Sequence, residues 1–225
     1  MKDILVMVPH HSADGRRNKT LESLYLSWKE TTSNKSDFLV GMDEEDIKYG
    51  DINFDNIILD INKERLNVIQ KINYLTSKYV KNYKYVYFVG NDCIFKTKDW
   101  ENIFLEEANK NKYCIFYGDD GHQHEKLCTH AFISVNIIES LGFMGPKFLR
   151  HYYVDNFWME MGKHLNCLKY FPNIILEHNH PDANKSETDI LYKQASNYFY
   201  EDQYNFAKYM KNGNFIEDMK RIKIL

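Results

Sequence analysis

Asn91 and Asp92 interrupt an apolar run, FVGNDCIF at residues 88–95, so a carboxylate is framed by residues that would hold it rigidly. A fixed carboxylate suits a hard divalent ion. Mg²⁺ and Mn²⁺ take oxygen ligands, keep waters and share their coordination with substrate phosphates. A second cluster, LEHNHP at residues 176–181, ends another apolar run. In an extended strand His178 and His180 point to one face and Glu177 to the other, so the H-x-H pair can contact a metal or serve as structural hydrogen-bonders. Zinc fits the spacing less well, because no third nitrogen or thiolate lies at a familiar separation. A third cluster, HYYVDNFWMEMG, places Asp155 near a helix start, where the macrodipole favours a carboxylate. There it is either an N-cap or a general base. Arg16 and Arg17 follow the first apolar run and can either meet a diphosphate through paired hydrogen bonds or remain solvated. His10 with His11, and His122 with His124, are looser pairs for substrate loops or solvent.

These residues need elements to position them, and the apolar periodicity supplies a set. DILVMVP, DFLVGM, NIILDI, KYVYFVG and KYCIFYG are predicted strands. Leu21, Leu24, Tyr25 and Trp28 mark a helix between the first two strands, capped by Asn18 or Thr20. Val68, Ile72, Leu75 and Tyr79 mark a second helix over residues 64–80, and a third over 99–109 starts at Asp99 with Trp100, Ile103 and Phe104 inward. Strand and helix alternate to Gly118, which implies a parallel sheet covered on both faces. Beyond it come HAFISV as a strand, NIIESLG and VDNFWMEMGKHL as helices and NIILEHNHP as a strand. One long helix is expected from Thr188 to Met210, with Tyr192, Ala195, Tyr198 or Phe199, and Phe206 as its packing stripe. In such a sheet ligands bind beyond the carboxyl ends of the strands. Those ends carry Pro9-His10-His11, Asp43, Asp60, Asn91-Asp92 and Asp119-Asp120. Each alone is an ordinary turn residue; their gathering at one edge points to a site.

The 225 residues, 44% hydrophobic, suffice for one core-bearing domain, and a net charge of -3 gives no field to hold a polyanion. Cys93, Cys114, Cys128 and Cys167 form no C-x-x-C pair, and each adjoins an apolar run, so a reducing, cytoplasmic setting is expected. No apolar run approaches 18 residues, so no membrane span is expected. G-x-G-x-x-G after the first strand, the P-loop and G-x-S-x-G are all absent.

In order and spacing, ILVMVP with its arginine-bearing loop, VGMDEED, YFVGNDCIFKTKDWE, IFYGDDG, THAFIS, HYYVDNFWMEMG and LEHNHP resemble a GT-A-fold glycosyltransferase of the compact bacterial or phage type, over residues 3–182. The resemblance implies an α/β, Rossmann-like single domain with a mostly parallel central sheet flanked by helices. Residues 1–187 would form it, with 1–118 as the nucleotide-binding half and 119–187 as the acceptor half, and residues 188–225 would add a C-terminal helical extension packed on it. It implies a nucleotide-diphosphate-sugar donor and a hydroxyl acceptor, a glycan or a modified nucleobase. Pro9 and Arg16 would border the donor and Asp43 its base or ribose. Asp92, with Asn91 beside it, would hold Mn²⁺ or Mg²⁺ together with His178 or His180. Asp119, Asp120 and Trp158 would form the acceptor side, and Asp155 would deprotonate the acceptor in an inverting enzyme. The family's D-x-D motif is reduced here, since Asn91 and Cys93 flank its one carboxylate. A nucleotidyltransferase and a non-catalytic nucleotide-sugar or glycan-binding module are the rival readings.

Overall fold

Strand β1 is Ile4–Pro9, and its residues from Ile4 to Val8 are fully buried. A strand covered on both faces needs an apolar side chain at every position. Alternation then divides them: Ile4, Val6 and Val8 enter one core layer, Leu5 and Met7 the other. The structure, a computed structural model, describes residues 2–183 and 185–222. β1 pairs in parallel with β2 (Ser36–Asp43) and β4 (Tyr85–Phe88), and β3 (Ile57–Asn62) lies parallel to β2 at the edge. On the other side β7 (Phe132–Ser134) runs antiparallel to both β4 and β6 (Ile115–Asp119). β8 (Leu168–His178) is parallel to β6, and the short β5 (Cys93–Phe95) is antiparallel to β8. The order is β3-β2-β1-β4-β7-β6-β8-β5.

The regular parallel run expected through KYCIFYG therefore stops at β4. After Gly90 the chain turns back through β5 before entering a helix, so the crossover to β6 lands one strand further out and β7 fills the gap. Helices α1 (Arg16–Thr31) and α3 (Trp100–Ala108) cover the face lined by Ile4, Val6 and Phe38. Helices α2 (Val68–Tyr79), α4 (Val135–Leu141) and α5 (Val154–His164) cover the face lined by Leu5, Met7 and Leu39. α1 starts directly after Gly15, earlier than the Asn18 or Thr20 cap expected. Asp99 precedes α3 but does not cap it: its carboxylate accepts a hydrogen bond from Ser33 Oγ (2.7 Å). Ile103 faces solvent, while Trp100 and Phe104 are buried.

The expected long tail helix is three: α6 (Ile190–Ser196), α7 (Phe199–Lys211) and α8 (Asn214–Arg221). Gly213, at φ 78°, ends the second and reverses the chain, so that Tyr209, Phe215 and Met219 all reach the α5 core layer. α7 also carries Asp202, fully buried, whose carboxylate accepts from the amides of Arg150, His151 and Tyr152 at 3.0, 2.9 and 2.9 Å. It thereby fixes the segment that launches α5. No described helix is long and apolar enough to cross a membrane.

Gly118 marks where β8 bulges away from β6, between the pairs Gly118–Phe171 and Asp119–Ile175. A Cβ at Gly118 would overlap the backbone oxygen of Ile174. Gly118→Ala is therefore expected to cost about 1–3 kcal/mol, read as a lower denaturation midpoint with an unchanged slope. An unchanged midpoint would mean that the bulge yields freely.

Candidate active site

The pairing of β5 with β8 builds the site. Cys93 lies opposite His178 in the ladder, and the amide of Asn179 donates to Asp92 O at 3.0 Å. That register brings the end of β8 against the β4–β5 turn. His178 Nε2 lies 3.3 Å from Asp92 Oδ1. His130, just before β7, places Nε2 3.1 Å from Cys93 Sγ and sets its ring edge-on to His178, with centroids 4.9 Å apart. One donor atom from each of Cys93, His130 and His178 fits within 4.8 Å of the others. The Nδ1 atoms of both rings are buried without a hydrogen-bond partner among the described residues.

Asn91 is an amide for a reason visible in its contacts. Its Oδ1 accepts from Arg17 Nη1 (2.9 Å) and its Nδ2 donates to His10 Nδ1 (2.9 Å), which a carboxylate could not do. Burial lowers the His10 pKa to about 4, so the ring is neutral and its Nε2–H donates to Asn18 Oδ1 at 3.0 Å. Asn91 thus ties the loop after β1 to α1, beside the metal-type carboxylate rather than within its ligand set.

Arg17, rather than Arg16, reaches the site. Arg16 is exposed and paired with Asp14 in its own turn at 2.8 and 3.0 Å. Arg17 Nη1 lies 3.3 Å from Asp92 Oδ2, and its Nε donates to Asp189 Oδ2 at 2.5 Å. The sequence holds a signal for this. Residues 17, 21, 24 and 28 share the inward helical stripe, and residue 16 does not. Tyr192 of α6 donates its hydroxyl to Asp92 Oδ2 (2.7 Å), and the Arg17 guanidinium sits 4.7 Å from its ring centre. α6 therefore covers the strand-end edge. A cleft there, lined by Lys19, Thr20, Ser23, Asp92, Ile94 and Asn179, holds about 170 Å³. A larger cleft of about 550 Å³ lies between α4, α7 and α8, and none of the site residues lines it.

The electrostatics follow from these contacts. Burial alone would raise the Asp92 carboxyl, but the hydrogen bond and charge of His178, with Arg17 and Tyr192, outweigh it and hold the pKa below the carboxylate range. Burial lowers His178, and Asp92 more than reverses this, so its pKa is raised. Burial and the charge of His178 keep His130 neutral. Asp155 is half-buried, and no hydrogen bond among the described residues engages its carboxylate. Burial pushes its pKa up to about 8, with Asp120 adding to the rise and His178 opposing it. It stands in the first turn of α5 behind Tyr153, so it is not the N-cap.

Several residues expected at the site are placed elsewhere. Asp43 is fully buried and bonded to Lys71 Nζ (3.0 Å) and His11 Nδ1 (3.3 Å), holding β2 to α2 and to the loop after β1, because a buried carboxylate needs a cation. Asp60 faces α2, where Lys78 Nζ (2.5 Å) and Tyr79 (2.7 Å) bond it. Trp158 is fully buried, donates to Met144 O at 2.8 Å and has no exposed face on which an acceptor could stack. Asp120 is saturated by the amides of His122, Gln123 and His124 and by the Thr129 hydroxyl, which shape the loop after β6. Asp119 accepts from Gly121 N (2.7 Å) and His124 Nδ1 (2.8 Å) in that same loop. His180 stacks on His122 and meets Tyr192 edge-on, and its Nδ1 accepts from the Asp182 amide (3.1 Å), so it lies beside the Asp92 cluster, not within it. Pro9 closes β1 opposite Gly41.

Groups able to ligate a divalent cation gather here: Asp92 Oδ1 lies 3.3 Å from His178 Nε2, and Cys93, His130 and His178 bring three ligand atoms within 4.8 Å of one another. No family model matches the sequence, and no curated protein matches it. Among solved structures the chain is similar to the mannosyltransferase PcManGT from Pyrobaculum calidifontis in complex with GDP-Man and Mn2+, at TM-score 0.59 and 9% identity over 97% of this chain and 73% of that one. The chain has a GT-A-like fold. S. aureus TarS 1-349 gives 0.54 at 11% identity over 78% of this chain, and Rv0371C complexed with manganese, from Mycobacterium tuberculosis H37Rv, gives 0.52 at 8% over 82% of this chain and 96% of that one. The GT-A-like chain spans 59% of the length of TarS 1-349 and 38% of the longer TarS structure.

Proposed function

We propose that this GT-A-like chain is a glycosyltransferase that moves a sugar from a nucleotide-diphosphate donor to a hydroxyl acceptor. The observation that carries the reading is the junction of Asp92, Arg17 and His178 at the carboxyl end of β4. That edge is where an open α/β sheet binds nucleotides, and a neighbour of the same fold holds GDP-Man and Mn2+. Arg17 would bind the diphosphate, its planar fork matching two phosphate oxygens. Asp92 and His178 would hold the cation, Mn²⁺ or Mg²⁺ on the family resemblance, which when bound offsets negative charge on the leaving diphosphate. Asp155 would accept the acceptor's proton. A carboxyl free of hydrogen bonds with its pKa raised to about 8 is poised for proton transfer near neutrality, which favours turnover over a binding module. The acceptor would enter beside the loop of Asp119 and Asp120, whose carboxylates shape the backbone instead of touching it.

The test is thermal shift with UDP, GDP, CDP and dTDP and their sugars, with and without Mn²⁺. Stabilisation by one diphosphate series is expected; its absence for all four ends the reading.

Donor entry has a requirement of its own. Sites for molecules of this size occupy about 300–1,000 Å³, well above the cleft beside Asp92, and Asp189 already sits on Arg17 where a phosphate would go. α6 must move. The double variant Asp189→Asn, Tyr192→Phe is expected to bind its nucleoside diphosphate about tenfold more tightly, because less of the population is held closed. Calorimetric titration reads this, and unchanged or weaker binding would show that α6 supports the site instead of covering it.

A further inference from the structure

We infer that Cys93, His130 and His178, with Asp92 at the rim, form a site for a divalent cation of the zinc class. The function assigned to such an ion rests on the transferase reading; its chemistry rests on the donor atoms. Those atoms are one thiol sulfur and two imidazole nitrogens within 4.8 Å of one another, a borderline set that a hard, oxygen-seeking ion uses poorly, with the Asp92 carboxylate beside His178. Cys93 Sγ and His130 Nε2 lie 3.1 Å apart, so the pair need open by only a few tenths of an ångström to reach the roughly 3.5 Å that separates a sulfur and a nitrogen on a tetrahedral ion.

The charges agree. A thiolate at Cys93, with the Asp92 carboxylate 3.3 Å from His178, offsets the charge of a dication where Cys93 and His130 are buried. Two other groups could take such an ion: in that of His122, His180 and Asp182 the members are half-buried or exposed and Nδ1 of His180 already accepts the Asp182 amide, and in that of His11, Asp43 and Asp46 the carboxylates already bond Lys71, His11 and the Ser12 amide.

The chain purified without chelator is expected to carry zinc at one equivalent. Replacement by Co²⁺ should give the intense visible bands of a tetrahedral ion and a thiolate-to-metal charge-transfer band. Cys93→Ser should abolish the charge-transfer band and weaken zinc binding by about tenfold or more, His130→Gln should weaken it similarly, and His122→Gln should leave both unchanged. If Cys93→Ser does not fold, the wild-type cobalt spectrum decides alone. Weak octahedral bands without charge transfer, zinc binding no tighter than Mg²⁺, or loss of zinc in His122→Gln would each overturn the assignment. Nucleoside diphosphates titrated into the same samples separate the two ideas: stabilisation with Mn²⁺ in a chain that ignores zinc removes the zinc site and keeps the transferase. Zinc on Cys93 with no nucleotide bound at any metal removes the transferase and keeps the site.

Discussion

Asp155→Asn is expected to lower kcat by about 10²–10⁴-fold while leaving nucleoside diphosphate affinity within about twofold of wild type, since the amide keeps the shape and loses only the proton acceptor. The pH dependence should change with it. A base acts when ionised, so kcat/KM of the wild type should rise about tenfold per pH unit up to the carboxyl's pKa of about 8 and level above it, and the variant should lose that limb. Stability should move the other way. The folded pKa is raised above the ordinary 3.8, so the protonated form is favoured by folding, and stability falls as pH climbs through about 8. The asparagine variant lacks this penalty and should melt at a higher temperature than wild type at pH 9. Melting curves and pH–rate profiles together decide the matter. A variant with full turnover, or a wild-type profile flat from pH 6 to 9, would remove Asp155 from the chemistry.

Asp92→Asn is expected to reduce kcat/KM by about 10²-fold or more, because one carboxylate gathers Arg17, Tyr192 and His178 at the edge proposed to bind the diphosphate. Loss of the charge also releases His178, whose raised pKa depends on it, so the variant's His178 should titrate below the wild type's in a histidine NMR titration. The stability window follows from the two shifts. The Asp92 pKa is lowered in the folded state, so its contribution is present above the unfolded value near pH 4 and is lost as pH falls through the folded one. The His178 pKa is raised, so its share is full below about pH 6.5 and is lost as pH rises through its folded pKa. The gap in melting temperature between wild type and variant should thus be widest between about pH 4 and 6.5. An equal gap at pH 5 and pH 9 would mean that the pair contributes little and that Arg17 alone holds Asp92.

The loop before α5 links both predictions to the tail. Asp202 holds the amides of residues 150–152, so the placement of Asp155 depends on a helix nearly fifty residues downstream. Nothing in the spacing of either segment announces that contact.

What the sequence determined by itself was local. The uninterrupted apolar ILVMV, short and bounded by polar residues, reads as a strand covered on both sides, and residues 21, 24, 25 and 28 as one buried face of a helix, because these patterns repeat within a few residues. From them came the α/β layers and the polar strand ends. The tertiary structure decided which polar residues meet. Cys93 and His130 are 37 residues apart, Tyr192 and Asp92 100, and Arg17 and Asp189 172. The insertion of β7 between β4 and β6, the third nitrogen and thiolate beside His178, and the cover of α6 over Asp92 all depend on such distant pairs. Side-chain period fixes which face a residue occupies; only the order of strands fixes its neighbour across that face. For the same reason the spacing did not foretell that Asp43 would pair with Lys71 of α2 or that Trp158 would donate to Met144 O within the core.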